Sequence, residues 1–279
     1  MAIILDGKET AEALRQDLTE RMAALKEKGR VPTLAIILAG ESKPSAMYAS
    51  FMEKVAASYG ISVRLCKKGA GVTEEELKAL IRELNGDKAV TGILMMMPLP
   101  KGIDADAVVE CIDPDKDIDG LTTTSLGRLA AGKDGLVACT PRAVMAILSH
   151  YGIPLKGKHA VVIGRSTVVG KPVSLLLLAS HATVTICHSH TENLKEMTKK
   201  ADILVAAVGK PACVTADMVR PGAVVIDVGI NRVNGRTTGD VDYDAVKDVA
   251  GAITPVPGGV GSVTTTMVIE ALIKTAEKE

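Results

Sequence analysis

Aromatic side chains are nearly missing from this 279-residue chain: tryptophan is absent, phenylalanine occurs once, and aromatics total 2%. Stacked rings therefore cannot build the core, and the 47% hydrophobic residues must pack mainly as Val, Ile, Leu, Ala and Met. Such side chains suit helices layered on sheets. Excess charge is missing as well, since 33 Lys and Arg balance 33 Asp and Glu along the chain. No field remains that would gather nucleic acid or an anionic lipid surface, which points to a small-molecule partner. Cys66, Cys111, Cys139, Cys187 and Cys213 lie far apart and form no CxxC pair. They read as reduced core thiols of a cytoplasmic protein. Long apolar runs are also missing. Asp6 stops the opening Ala2–Leu5, and nothing later approaches the roughly 18 residues that span a bilayer, so neither export nor membrane segments are expected. His181, His188 and His190 have only Cys187 as a companion at ligand spacing, so no metal site is expected.

What is present alternates. Thr10–Lys28 spaces Ala11, Leu14, Leu18, Met22 and Leu25 as a helix, and Gly29 stops it. Pro32–Ala39 reads as a buried strand, Pro44–Tyr59 as a helix, Ile61–Cys66 as a strand and Thr73–Asn85 as a helix. Thr73 and Glu76 have capping-box spacing. Val90–Met97 is a further apolar strand, followed by Pro98-Leu99-Pro100 and an irregular stretch through Lys133. A helix over about Pro141–His150 opens a second series with strands at His159–Ile163, Thr183–Cys187, Ile203–Val208 and Ala223–Val228. Strands separated by helices predict an α/β protein with parallel sheets, and the length predicts two domains.

Ala160–Pro172 (AVVIGRSTVVGKP) is a strand, Gly164, small residues to Gly170, and a helix opening near Pro172. A dinucleotide pyrophosphate can sit on such a helix start, where amides and dipole converge. The pattern GxSxxxG departs from GxGxxG, and a ligand-free turn is the competing interpretation. An NAD site of this kind places Asp or Glu at the end of the second strand. Here that strand ends Cys187-His188-Ser189-His190, with no carboxylate to repel a ribose phosphate. Arg165 and Ser189 could reach that phosphate, so the reading leans to NADP over NAD. Taken singly, Arg165 is equally well a solvated charge and Ser189 a helix cap.

Several strings in order resemble one family, the methylenetetrahydrofolate dehydrogenase/cyclohydrolases. They are Gly92–Ile103 (GILMMMPLPKGI), Pro114–Gly120 (PDKDIDG), Cys139-Thr140-Pro141, Val162–Pro172, Val224–Asn231 (VVIDVGIN) and Ile253–Gly261 (ITPVPGGVG). The resemblance implies an N-terminal folate-binding catalytic domain over 1–138, completed by a helix within about 265–279. It implies a Rossmann NADP domain over 139–264, tetrahydrofolate derivatives as substrates, a site in the cleft, and a homodimer. It assigns Tyr48 to stacking on the folate and Asp119 to the pterin's amino and ring nitrogens. For cofactor binding it implies Gly164, Arg165, Ser166 and Gly170, with His188, Ser189 and Ile230. Pro257, Gly258 and Gly259 would form a substrate loop. From the residues alone, Tyr48 is also compatible with a half-buried core ring, and Asp119 with a turn residue bonding its own backbone.

The chain departs from the family at two positions. The catalytic Lys four residues after the helix Tyr falls on Met52, and the Gln that supports it falls on Met96. Lys54 lies about 200° around a helix from Met52 and is a poor substitute. Hydride loss from the methylene bridge needs no protein acid or base, only carbons held at about 3–3.5 Å. Hydrolysis of the methenyl cation needs proton transfer, which a thioether cannot provide. The expectation is an NADP-dependent methylenetetrahydrofolate dehydrogenase whose cyclohydrolase activity is lost or weak. Three alternatives stand beside it. One is a fully bifunctional enzyme in which another group replaces the Lys; the others are a non-catalytic folate or nucleotide binder and a different dehydrogenase of the same fold.

Overall fold

In a computed structural model, residues 2–278 are described, and they divide into two compact units. One contains the chain up to Ala13 with Ala138–Met267; the other contains Leu14–Val137 and the residues from Val268 onward. The resemblance implies instead a single domain over residues 1–138. The structure differs because β1 (Ile3–Ile4) pairs in parallel with a strand near residue 252, adding an edge to the nucleotide-side sheet.

The unit built on Leu14–Val137 follows the alternation closely. After α1 (Gly7–Glu27) come β2 (Thr33–Ala39), α2 (Lys43–Tyr59), β3 (Ser62–Lys68), α3 (Glu74–Gly86) and β4 (Gly92–Met95). The three strands form a parallel sheet in the order β3-β2-β4. Residues Leu34–Ala39 of β2 are all buried, as a central strand covered on both faces requires. Helix α3 buries Leu77, Leu80, Ile81 and Leu84, one helical stripe, against Ala35, Ile37 and Ile93 of the sheet. Its capping box is present, with Thr73 Oγ1 accepting from Glu76 N–H and Glu76 accepting from Thr73 N–H. Short helices α4 (Ala105–Val109) and α5 (Thr123–Ala130) fill the stretch that read as irregular.

The other unit begins, after β1, with α6 (Cys139–His150) and β5 (His159–Ile163). It continues through α7 (Gly170–Ala179), β6 (Thr183–Cys187), α8 (Leu194–Thr198), β7 (Ile203–Ala206) and β8 (Val224–Asp227). A hairpin, β9 (Asn231–Val233) and β10 (Arg236–Thr238), then α9 (Tyr243–Val246) and β11 (Ala252–Ile253) complete it. Strand order is β1-β11-β8-β7-β5-β6, all parallel. Setting β1 aside, this is the doubly wound order 2-1-3-4-5, whose winding reverses between β5 and β7. The last helix, α10, spans Thr264–Lys278. No helix among the described residues is long and apolar enough to cross a membrane.

Candidate active site

In an open doubly wound sheet, ligands bind outside the carboxyl ends of the strands where the winding reverses. Here that point lies beyond Ile163 of β5 and Ala206 of β7, which are paired in register. Gly164 follows at φ 125°, and a Cβ there would lie 2.2 Å from Ala207 O. A Cβ on Gly170 would lie 2.3 Å from Gly164 O. Both glycines exist because backbone meets backbone, and they leave the Arg165–Val168 turn exposed at the strand ends. The expected free amides of the α7 start are already occupied. Ser166 Oγ accepts from Val169 N–H (3.2 Å) and Gly170 N–H (3.3 Å), and its carbonyl accepts from Lys171 N–H (3.0 Å). An incoming phosphate would have to take over the amides that the Ser166 hydroxyl holds.

Gly164 N–H donates to Cys187 O at 2.8 Å, so the ends of β5 and β6 run side by side. Arg165 and Ser189 are both exposed there, each two residues beyond a paired strand end. His188 is half-buried, with its N–H donating to Thr191 Oγ1 (2.8 Å) and its ring set edge-on to His190. No group of three or more His, Cys, Asp or Glu that could hold a metal occurs among the described residues.

Ile230, 69% exposed, and the loop Pro255–Ser262 surround one cavity of about 260 Å³. Pro257, Gly258 and Gly259 all line it. The loop is braced from behind, because Gly7 N–H donates to Gly258 O (2.8 Å) and a Cβ on Gly7 would lie 2.0 Å from Gly259 O.

Two residues that escaped the sequence reading hold this wall in place. Asp227, at the end of β8, is buried and accepts from Gly229, Asp240 and Val241 N–H at 2.9–3.0 Å. Asp240, fully buried, accepts from Val208, Gly209 and Lys210 N–H and from Asn231 Nδ2 at 2.7–2.9 Å. Together they tie the ends of β7 and β8 to the β9–β10 hairpin. Burial raises the Asp227 carboxyl to about 6, against which its three N–H donors work, while the neighbouring Asp240 pushes the same way as burial. The available signals were an Asp closing the apolar run of VVIDVG and the Gly239-Asp240 pair. Gly229 and Gly239 are required because a Cβ on either would meet the opposite carboxylate within 2.2 Å.

In the other unit, α2 is capped by Ser42, whose hydroxyl accepts from Ser45 N–H, with Pro44 in its first turn. The buried stripe is Ser45, Ala49, Met52 and Ala56, and Tyr48 sits at its exposed border. Ser45 Oγ donates to Met97 O at 3.0 Å, joining α2 to the turn after β4. Met96, in that turn, donates its N–H to Ile37 O (2.9 Å). Met52 is 0% and Met96 4% exposed, so both thioethers are core residues. Lys54 is exposed. In the Asp-rich loop, Asp117 holds the turn. Buried Asp117 accepts from Leu121 N–H, Thr122 N–H and Ser125 Oγ at 2.8–3.0 Å. Asp119 is half-buried beside it.

These features define a two-unit α/β protein with a doubly wound nucleotide-binding sheet in one unit. Residues 138–279 match the family model "Tetrahydrofolate dehydrogenase/cyclohydrolase, NAD(P)-binding domain", and residues 5–119 match the corresponding catalytic-domain model. The chain belongs to the tetrahydrofolate dehydrogenase/cyclohydrolase family. It is 49% identical over 279 residues to the "Bifunctional protein FolD" of Bacillus cereus (strain AH187), covering 100% of this chain and 98% of the relative. The crystal structure of the bifunctional FolD enzyme from Campylobacter jejuni superposes with TM-score 0.97 at 40% identity, covering 100% and 99% of the two chains. The Trypanosoma brucei FolD, solved with NADP cofactor and inhibitor, superposes with TM-score 0.93 at 37% identity, covering 99% and 98%.

Proposed function

We propose that this protein oxidises methylenetetrahydrofolate to methenyltetrahydrofolate with NADP, and that it hydrolyses the product poorly or not at all. The observation that carries this reading is the burial of Met52 and Met96, apolar at positions where the family carries its hydrolytic Lys and supporting Gln. When bound, NADP supplies the carbon that receives the hydride. Its pyrophosphate would be held at the Gly164–Gly170 turn, and Arg165 with Ser189 would face the ribose phosphate. Nicotinamide would lie toward Ile230 and the Pro257-Gly258-Gly259 loop. Tyr48 would stack on the folate and Asp119 would accept from the pterin's amino and ring nitrogens. Hydride loss is driven by the lone pair of the adjacent substrate nitrogen, so these residues contribute alignment and water exclusion rather than proton transfer. Hydrolysis asks more, because the attacking water must lose a proton and the departing nitrogen must gain one. A thioether does neither, and losing a positioned acid–base group costs roughly 10²–10⁴ in rate.

A fully bifunctional enzyme is the second reading, favoured by the printed name of the 49% identical relative. Two assays on purified protein separate them. Methenyl formation is followed with NADP and with NAD, and decay of added methenyl compound is followed against its uncatalysed rate. The expected outcome is rapid formation with preference for NADP, and decay at least a hundred-fold slower than formation. Decay comparable to formation establishes the bifunctional reading instead, and binding of both ligands without any methenyl formation would make the protein a binder.

A further inference from the structure

Lys116 lies three residues before Asp119, and its side chain fastens the loop that carries that carboxylate. A lysine in a loop usually leaves its ammonium in water. Lys116 turns inward instead and is half-buried. Its Nζ donates to Leu84 O (3.0 Å), Asn85 O (2.9 Å) and Asp87 O (2.7 Å), the carbonyls that close α3. A helix end leaves its last carbonyls without intrahelical donors and carries partial negative charge. An ammonium has three N–H donors and no acceptor, so this one side chain satisfies three carbonyls at once. Asn85 completes the clamp, donating from Nδ2 to Cys111 O (2.8 Å) and accepting from Asp113 N–H at Oδ1 (3.0 Å).

The backbone of the same residue is tied to the sheet. Lys116 O accepts from Ile93 N–H of β4 (2.7 Å), Asp117 is bridged to Ile93, and a Cβ on Gly92 would lie 2.2 Å from Ile118 Cγ1. The loop thus lies directly on β4 at its backbone and is held to α3 by the Lys116 side chain. Between that anchor and Asp119, Asp117 draws in Leu121 N–H, Thr122 N–H and Ser125 Oγ. Resting on the folate reading of Asp119, we propose that Lys116 is a positioning residue for the substrate: its three bonds to the end of α3 set where Asp119 meets the pterin. Without them the loop relaxes, and a carboxylate displaced by about an ångström no longer accepts from the amino and ring nitrogens together. Folate affinity falls, while the nucleotide site, built from other segments of the chain, is left as it was.

The test measures dehydrogenase kcat and separate KM values for methylenetetrahydrofolate and NADP in the wild type, Lys116→Met and Lys116→Ala, with thermal unfolding to check that each variant folds. Lys116→Met keeps the stem without the donors. It should raise the folate KM on the order of ten-fold, with kcat and the NADP KM within about two-fold. In Lys116→Ala, added n-propylammonium should lower the folate KM again, because Lys116 also lines a cavity of about 300 Å³ through which a small amine can enter. Tetramethylammonium, which has the charge but no N–H donor, should not. Lys116→Arg covers the case in which neither truncation folds. Its planar fork cannot aim three donors at one helix end, so the folate KM alone should rise, by roughly three-fold. An unchanged folate KM in a folded variant, a parallel rise in both KM values, or an equal response to the two cations overturns the positioning role and leaves the dehydrogenase reading intact. A wild type that does not oxidise methylenetetrahydrofolate overturns the folate reading itself.

Discussion

Position 52 concentrates the functional question into one side chain. Met52 belongs to the buried stripe of α2 and Met96 to the turn beyond β4, so neither offers a group that titrates or donates. If proton transfer is what the site lacks, restoring the pair restores hydrolysis. The double variant Met52→Lys/Met96→Gln is expected to raise methenyl decay by roughly 10²–10⁴ while leaving hydride transfer within a few-fold. Met52→Lys alone should gain less and lose stability, because an ammonium without its amide partner is buried among apolar groups. An unchanged decay rate in a folded double variant sinks the account. That neither side chain can carry a proton is readable from its identity, whereas the burial of both is a property of the fold. Which of the three aspartates in DKDIDG anchors the turn was not legible. All three suit a turn, and the convergence of Leu121 N–H, Thr122 N–H and Ser125 Oγ on Asp117 is a property of the fold.

At the scale of elements, the proposed cofactor choice rests on the junctions between strands and helices. The ends of β5 and β6 are joined by the Gly164 N–H to Cys187 O bond, which brings the exposed Arg165 and Ser189 turns to neighbouring strand ends. Arg165→Ala is accordingly expected to raise the KM for NADP about ten- to a hundred-fold, the loss of one charge-assisted contact to a phosphate, and to leave the KM for NAD within two-fold. Equal effects on both cofactors would remove Arg165 from the phosphate site. Gly164→Ala should do more, losing on the order of 2–4 kcal/mol of stability in urea titrations. Its φ of 125° is foreign to alanine, and the new Cβ would meet the Ala207 carbonyl. Buried strands and amphipathic helices were readable here because period and run length encode them. The β9–β10 hairpin was not, since Asn231–Val233 and Arg236–Thr238 are three residues each and too short to show a period. Nor was the satisfied start of α7, because a helix cap by Ser166 and a free phosphate cradle have the same sequence.

Over the whole molecule, connectivity was the least readable property. Two residues of β1 complete a sheet whose other strands begin more than 150 positions later, and no local pattern announces such a pairing. Acid–base behaviour is distributed with similar indifference to sequence distance. Surface carboxylates such as Asp202, Asp217 and Glu277 are held below their ordinary values, chiefly by hydrogen bonds from His159 N–H, Lys195 and Arg21 respectively. Each stabilises the fold above its unfolded value, and that contribution is lost as pH falls. Asp227 has the opposite sign. Its carboxyl, ordinarily 3.8, is raised to about 6 by burial, so the folded protein holds more protons than the unfolded chain between those values. Stability from this group is full below about 3.8 and is lost as pH rises through about 6. The expected loss is on the order of 1–3 kcal/mol across that window. Urea unfolding at several pH values between about 4 and 7 measures it, with Asp227→Asn as the comparison, because the amide keeps the shape without titrating. The variant should be less stable throughout, having replaced one acceptor oxygen with a donor facing Val241 N–H, but its pH slope should lack the fall seen in wild type. Parallel slopes for the two proteins would mean that Asp227 stays ionised behind the Ile230 wall, its three N–H donors outweighing burial.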